Sequence, residues 1–286
     1  MGQYSNEITN RFETYGPPEG FCAICRLFRP LTRDHVPPKN CGNVRKSVIQ
    51  HLFGDSVAHA TRAKNVPTFS QTGSHFKTLC GECNNTRLGS LYDPVLGAVT
   101  KQVQDYFVRS SQSRLSLPRT QLFDYQPNKF ARAIIGHLLA ANAVHDVRTD
   151  GPSPPIDMAL RAYFLDPSAS FPDNLDLHYW LYPYRSRVIV KHGALGFTGS
   201  GGAVIYGHLL KFFPFAFWVV KNDAGFHNWK PAARRLNIDL STDINAVNRL
   251  AIDLRPLESP NFPEAPEDNR MLLISDHLAS RADDLE

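Results

Sequence analysis

The chain lacks an apolar run long enough to cross a bilayer. Its most apolar stretch, Leu209 to Val220, is short and is interrupted by Lys211 and Pro214, whereas a spanning helix needs about 20 consecutive apolar residues. No N-terminal segment combines the charged, apolar and cleavage-site regions of a signal peptide, so export is not expected. There is no internal repeat. There is also no phosphate-binding GK[ST] loop: Thr198-Gly-Ser-Gly-Gly202 lies between two strand-like runs with no helix after it, and reads as a hairpin turn. Cysteine is scarce, with five in 286 residues, and its CxxC pairing fits a reducing cytoplasm rather than a secreted disulfide framework. What is present is ordinary for a globular protein of one large or two ordinary domains: 42% apolar and 20% charged residues.

Four of the five cysteines form two CxxC pairs, Cys22/Cys25 and Cys80/Cys83. Two residues between cysteines let one tight turn present both sulfurs to one metal, and two such knuckles make a four-thiolate zinc site. A redox role fits less well, because there are two pairs and no βαβ pattern surrounds either. Cys41 reads as a plain thiol. A zinc ion with four thiolates has no open position, so any chemistry must come from its neighbours.

Between the pairs lies LTRDHVPP, and Asn84 follows Cys83 directly. Asp34 is a hard oxygen ligand suited to Mg2+ or Mn2+. His35 is the residue type that takes a proton from water near neutral pH. Adjacent strand residues point to opposite faces, but at a strand end or bulge both can reach one centre, and Pro37-Pro38 would stop the strand. Asn84 offers a neutral oxygen at the start of an expected helix.

CAIC, then TRDHVPP, then LCGECNN resembles the HNH (His-Me finger, ββα-metal) endonuclease family, in its zinc-braced branch that includes phage endonuclease VII. The resemblance covers about residues 20–92. It implies that Asp34 and Asn84 hold a catalytic Mg2+ or Mn2+, that His35 is the general base, and that Cys22, Cys25, Cys80 and Cys83 hold a structural Zn2+. The family often has an Asn five residues before the third cysteine, orienting the base; here that place holds His75, which would orient His35 or contact phosphate. Lys39, Lys77 and Arg87 flank the motif and would neutralise neighbouring phosphates. The implied activity is hydrolysis of nucleic-acid phosphodiester bonds, with DNA ahead of RNA. Nuclease modules fused to a larger domain resemble those of prokaryotic restriction and antiphage systems. The competing reading is a zinc-braced module that binds nucleic acid or senses it without catalysis, Asp34-His35 merely finishing a strand.

Charge is uneven. Residues 1–132 hold 17 Lys and Arg against 9 Asp and Glu, while residues 133–286 hold 14 against 18, so the motif lies in the basic half, where a polyanion would bind. The long stretch Asn40 to Gln71 carries Arg45, Lys46, Arg62 and Lys64 with only Asp55 opposed. It is expected to hold a short helix around Val44 to Phe53, and reads equally as a nucleic-acid contact or a solvated loop.

The fold class expected is α+β. An N-terminal ββα-metal module (1–92) with the four-cysteine site precedes an accessory region (93–286) with helices about 93–165, a mostly antiparallel β-rich part about 175–222, and a C-terminal helix and tail. Helical periodicity runs from Asp93, through Val95, Val99, Val103, Tyr106 and Phe107, and again from Asn128 to His145. His137 on the second stripe reads as a packed histidine rather than a ligand. A short strand is expected in Arg114 to Gln126 and a short helix over Ile156 to Phe164. Trp180, Trp218 and Trp229 read as core residues rather than base-stacking ones. A helix is expected near Ser241 to Leu250, then a Pro-rich stretch from Pro256 to Pro266 and a frayed acidic end, Ala282 to Glu286. The accessory region would serve as target reader, regulatory sensor or homodimer platform, with no membrane partner.

Overall fold

The computed structural model describes residues 17–52, 67–111, 118, 120–142, 144–197, 204–222, 233–238, 243–254, 261–264, 271–275 and 279–285. The expected N-terminal arm (apart from 17–20), Arg62, Lys64, the Gly-rich tract at 198–202, Trp229 and most of the Pro-rich stretch lie outside them.

In chain order, β1 (Glu19–Phe21) and β2 (Phe28–His35) lead to a 3-10 turn (Lys39–Cys41), then β3 (Ser47–His51), β4 (Thr68–Ser70) and β5 (His75–Cys80). A π-helical segment (Glu82–Tyr92) runs on without a break into α1 (Asp93–Ser111). After β6 (Thr120–Tyr125) come α2 (Pro127–Ala140), a 3-10 turn (Val144–Val147) and α3 (Pro155–Leu165). The remaining strands are β7 (Leu175–Leu181), β8 (Arg187–Phe197), β9 (Val204–Phe212), β10 (Phe215–Lys221), β11 (Arg234–Arg235), β12 (Asn248–Asp253), β13 (Met271–Ile274) and β14 (Ala279–Asp284). The fold is mixed α/β, and its strand pairings are antiparallel.

Three sheets form. β1-β2-β5 is a small sheet, β12-β6 a ribbon, and a nine-stranded sheet runs β11-β7-β10-β9-β8-β14-β3-β4 with β13 also paired to β8. The period-2 pattern of β10 shows why the large sheet is buried on both faces. Phe215, Phe217 and Val219 join the core shared with the helices, while Ala216, Trp218 and Val220 join a second cluster with Trp180, Leu273 and Phe262. Trp180 and Trp218 are thus core residues.

α2 lies between the sheets, and nearly every residue from Pro127 to Ala140 is buried, as expected of a helix without a polar face. Its Phe130 meets Phe217 and Phe215 edge-on, with ring centroids 5.6 and 6.1 Å apart. The helix ends at Ala140, short of His145. There Thr78 Oγ1 of β5 donates to Ala140 O at 2.5 Å, and Lys191 Nζ of β8 donates to Leu138 O at 3.1 Å. These bonds take up carbonyls that the helix end leaves open. One hydrophobic cluster runs from Cys22 to Ala282, so residues on both sides of position 92 share a core.

Three expectations are corrected. Val44 to Phe53 holds no helix in its described residues (Val44 to Leu52): Ser47–His51 is β3, with Ser47 and Ile49 inward and Gln50 outward, a strand period. Within Ser241 to Leu250 the described residues from 243 form a turn and then enter β12, where Leu250 and Ile252 are buried on alternate positions. The acidic end is not frayed up to Asp284: β14 pairs with both β8 and β3. Its small Ala279 and Ala282 fit the interior, and Arg187 Nη1 neutralises Asp284 Oδ1 at 2.6 Å.

Candidate active site and cysteine cluster

The first knuckle is a tight turn in which Cys22 N donates to Leu27 O and Arg26 N donates to Cys22 O, at 3.0 and 2.9 Å. Arg26 closes it in the left-handed region, at φ 59°. The second knuckle spans the end of β5 and the first turn of the π-helical segment. All four Sγ atoms lie within 4.8 Å of one another, and the Cys80 amide donates to Cys22 Sγ at 3.4 Å. The hydrogen bond from Cys83 lowers the Cys22 thiol to about 5, whereas burial raises Cys25 to about 11. Four sulfurs this close cannot all ionise alone, and a divalent cation removes the conflict. The donor set fits a soft, zinc-like ion.

β2 and β5 bring Asp34 and His35 opposite Phe76 and His75, with a register shift between Thr32 and Asp34. The irregularity is a bulge on β5, where Lys77 and Thr78 face Arg33 alone; Asp34 and His35 pair in register, so Asp34 turns to the buried side and His35 to the other. Asn43, fully buried, holds the two flanking loops together. Its Nδ2 donates to Pro37 O and Ser74 O, and its Oδ1 accepts from Ser74 N. Gly73 turns beside it at φ +84°, where a Cβ would overlap the Asn43 side chain.

That loop supplies the carbonyls that fix both rings. His35 Nε2 donates to Thr72 O at 3.0 Å, and His75 Nδ1 donates to Gly73 O at 3.1 Å. A carbonyl only accepts, so in the neutral rings the lone pair sits on Nδ1 of His35 and on Nε2 of His75. The rings lie beside each other, centroids 5.5 Å apart. His75 Nε2 is buried without a hydrogen-bond partner among the described residues. Burial, with Lys39 and His75 nearby, lowers His35 to about 4, and burial also lowers His75. Both rings are therefore neutral at pH 7, and the group that orients His35 is the Thr72 carbonyl.

Asn84 sits in the π-helical segment, a helix form that often marks functional positions. Its Nδ2 donates to Thr32 Oγ1 and to Arg33 O, both at 2.9 Å. Both amide hydrogens are thus used on β2 just before Asp34, which distinguishes the amide nitrogen from the oxygen. Asp34 is 5% exposed, and its Oδ2 accepts from His137 Nδ1 at 3.0 Å. His137 Nε2 donates in turn to Asp93 Oδ1 at 2.9 Å. Burial raises the Asp34 carboxyl, against the pull of His137. Burial alone would keep His137 neutral, but Asp93 and Asp34 overcome it and raise the ring to about 10.

No known protein family matches this chain. Neither do the curated proteins or the solved structures it was compared with. The site therefore rests on its own geometry.

The flanking cations are placed unequally. Lys39 is exposed and close enough to depress both histidines, and Arg33 acts on His75 as well. Lys77 is half-buried on β5. Arg87 is committed elsewhere: its Nη1 donates to Leu165 O at 2.6 Å and its Nε faces Glu82 at 3.5 Å, joining the helix to α3. Sequence reasoning missed Asp93, Asn43 and Thr72 and read His137 as packing. An acid opening a helix and a histidine on an apolar stripe give no local sign that they meet.

A second polar cluster joins α3 to β8 and β9. Asp157 Oδ1 accepts from His208 Nε2 at 2.8 Å, with His192 Nε2 at 3.3 Å and Lys191 Nζ at 3.5 Å. The three atoms from Asp157, His192 and His208 lie within 4.8 Å. Asp157 and His192 also line a cavity of about 240 Å3 with Arg26, Asn142 and Arg161. The His192 amide donates to His208 Nδ1 at 3.0 Å, so the neutral His208 ring carries its proton on Nε2 and offers no lone pair there. Lys191 already supplies the positive charge that Asp157 needs.

Proposed function

We propose that this protein is a metal-dependent endonuclease of the HNH type, hydrolysing phosphodiester bonds in nucleic acid, DNA ahead of RNA. The observation that carries the reading is the His35 ring: the Thr72 carbonyl holds its Nε2–H and leaves a neutral Nδ1 to accept a proton from water. On β2 and on the π-helical segment, the Asp34 carboxylate and the Asn84 amide oxygen are hard donors suited to Mg2+ or Mn2+. Such an ion, when bound, stabilises the charge developing on the phosphate and on the leaving oxygen. Lys39 and Arg33 neutralise phosphates on either side of the scissile one. The four cysteines hold a structural Zn2+ that fixes β2 and β5 against the helix, so the base and the oxygen donors keep their spacing. The setting in which these properties fit is the cytoplasm of a prokaryote, in restriction or antiphage defence, the accessory region selecting the target or a partner.

A second reading has one observation in its favour. Asp34 is buried and bonded to His137, as an acid with a purely structural role would be. In that case the protein is a zinc-braced nucleic-acid-binding module. Plasmid cleavage in Mg2+, Mn2+ and EDTA, with His35→Ala alongside, separates the two. Metal-dependent nicking that His35→Ala loses, with zinc content and melting temperature unchanged, is the outcome expected of the nuclease. Binding without cleavage in any metal would select the second reading.

A further inference from the structure

We infer that His137 is a positioning residue for the metal-binding carboxylate, and that the candidate nuclease site is completed from α2, outside the segment carrying the motif. The inference rests on the nuclease reading above. Three observations carry it. His137 is fully buried, and both its ring nitrogens end on carboxylates, Asp34 on one side and Asp93 on the other. The Asp34 carboxylate also accepts from the His35 amide. A carboxylate held by fixed N–H groups has one rotamer, and its remaining lone pairs are available to a cation; groups that hold metal ligands in this way are worth about 10–100-fold in metal affinity.

The helix delivering the ring is itself pinned. Thr78 and Lys191 bind its last carbonyls from β5 and β8. Gly136, next to His137, lies so close to Leu88 of the π-helical segment and to Phe164 of α3 that a Cβ would overlap both side chains. Asp93 is anchored as well, its carbonyl accepting from Asn40 Nδ2 at 2.9 Å just after the loop that follows His35. The ring that holds Asp34 is therefore set by five separate elements, β5, β8, the π-helical segment, α3 and α1, which a histidine serving only to fill space would not need.

Two substitutions in the full chain test this, because an Asn side-chain nitrogen overlays imidazole Nδ1 and a Gln nitrogen overlays Nε2. His137→Asn keeps the bond to Asp34 and gives up Asp93; His137→Gln does the reverse. Mn2+ binding is followed by electron paramagnetic resonance without substrate, and cleavage by titrating Mn2+ at saturating DNA. The expected result is a Mn2+ dissociation constant and a cleavage midpoint about 10-fold or more weaker in His137→Gln, with His137→Asn restoring most of both at a similar melting temperature. Equal Mn2+ affinity in wild type and both folded variants, with His35-dependent cleavage intact, would overturn the positioning role and leave the nuclease reading standing. A wild-type protein that neither binds Mn2+ more tightly than Asp34→Ala nor cleaves would remove the nuclease reading, and this inference with it.

Discussion

Among the described residues, two buried histidine–aspartate clusters, those of His137 and His208, run in opposite senses. His137 and His208 are both fully buried and both bond an aspartate at 3.0 Å or less. His137 has a second carboxylate on its other nitrogen, and the ring is raised to about 10. His208 has a backbone amide there, and burial together with Lys191 lowers it to about 3. One ring is a cation at pH 7 and the other is neutral, so the charge of a buried histidine is set by what faces its second nitrogen. The consequence is a division of labour. The His137 cluster ends at the candidate active site, while in the Asp157 cluster a carboxylate is already matched by Lys191 and serves to clamp α3 to the sheet.

The sharpest way to break this contrast is Asp157→Ala. It leaves the buried Lys191 without its anion, and breaking one side of such a pair costs about 3–5 kcal/mol. Urea unfolding reads this directly, and a loss below about 1 kcal/mol would mean that Asp157 does not hold the cluster together.

The pH limbs come next, and they have opposite signs. The native His208 pKa, about 3, lies below the unfolded value of 6.5. The native state therefore binds fewer protons in that window, and stability falls as pH drops from 6.5 toward 3. Each tenfold change in proton affinity between the two states is worth about 1.4 kcal/mol, so the effect on the acid limb is a few kcal/mol, and His208→Gln should flatten that limb. The native His137 pKa is raised instead, so its contribution is complete below 6.5 and is lost as pH rises through about 10. Asp93→Asn removes one of the two anions and should bring the alkaline limb to lower pH. An alkaline limb identical in wild type and Asp93→Asn would sink the assignment of His137 as a cation. The smallest effect expected is that of Gly136→Ala, where overpacking against Leu88 and Phe164 costs about 1–3 kcal/mol. Its thermal midpoint should fall, and its Mn2+ dependence should weaken with it if α2 holds His137 in place.

Features written in local spacing were legible in the sequence. The CxxC pairs announced the sulfur cluster because two knuckles are short turns. The β-rich, aromatic runs of 175–222 and the helical periodicity from Asp93 and Asn128 announced those elements because composition and period need no partner to be seen. What failed was non-local. Ala282 to Glu286 looked like a frayed acidic end because the partner of Asp284 is Arg187, almost a hundred residues earlier. Ser47–His51 gave too short an alternation to outweigh the polar stretch around it. His137 was read as packing, which is true of its burial, but the carboxylates on its two sides belong to β2 and to the start of α1 and could not be placed from a stripe.

The position of β14 in the large sheet bears on the order in which the protein can assemble. In the backbone pairing of the described strands, β3 joins that sheet through β14, which lies between it and β8. On a ribosome, the segment after His35 emerges long before its docking strand exists. The β3–β4 hairpin must wait, undocked, until more than two hundred further residues have been made. A chain stalled before Ala279 would present β3 as an open edge.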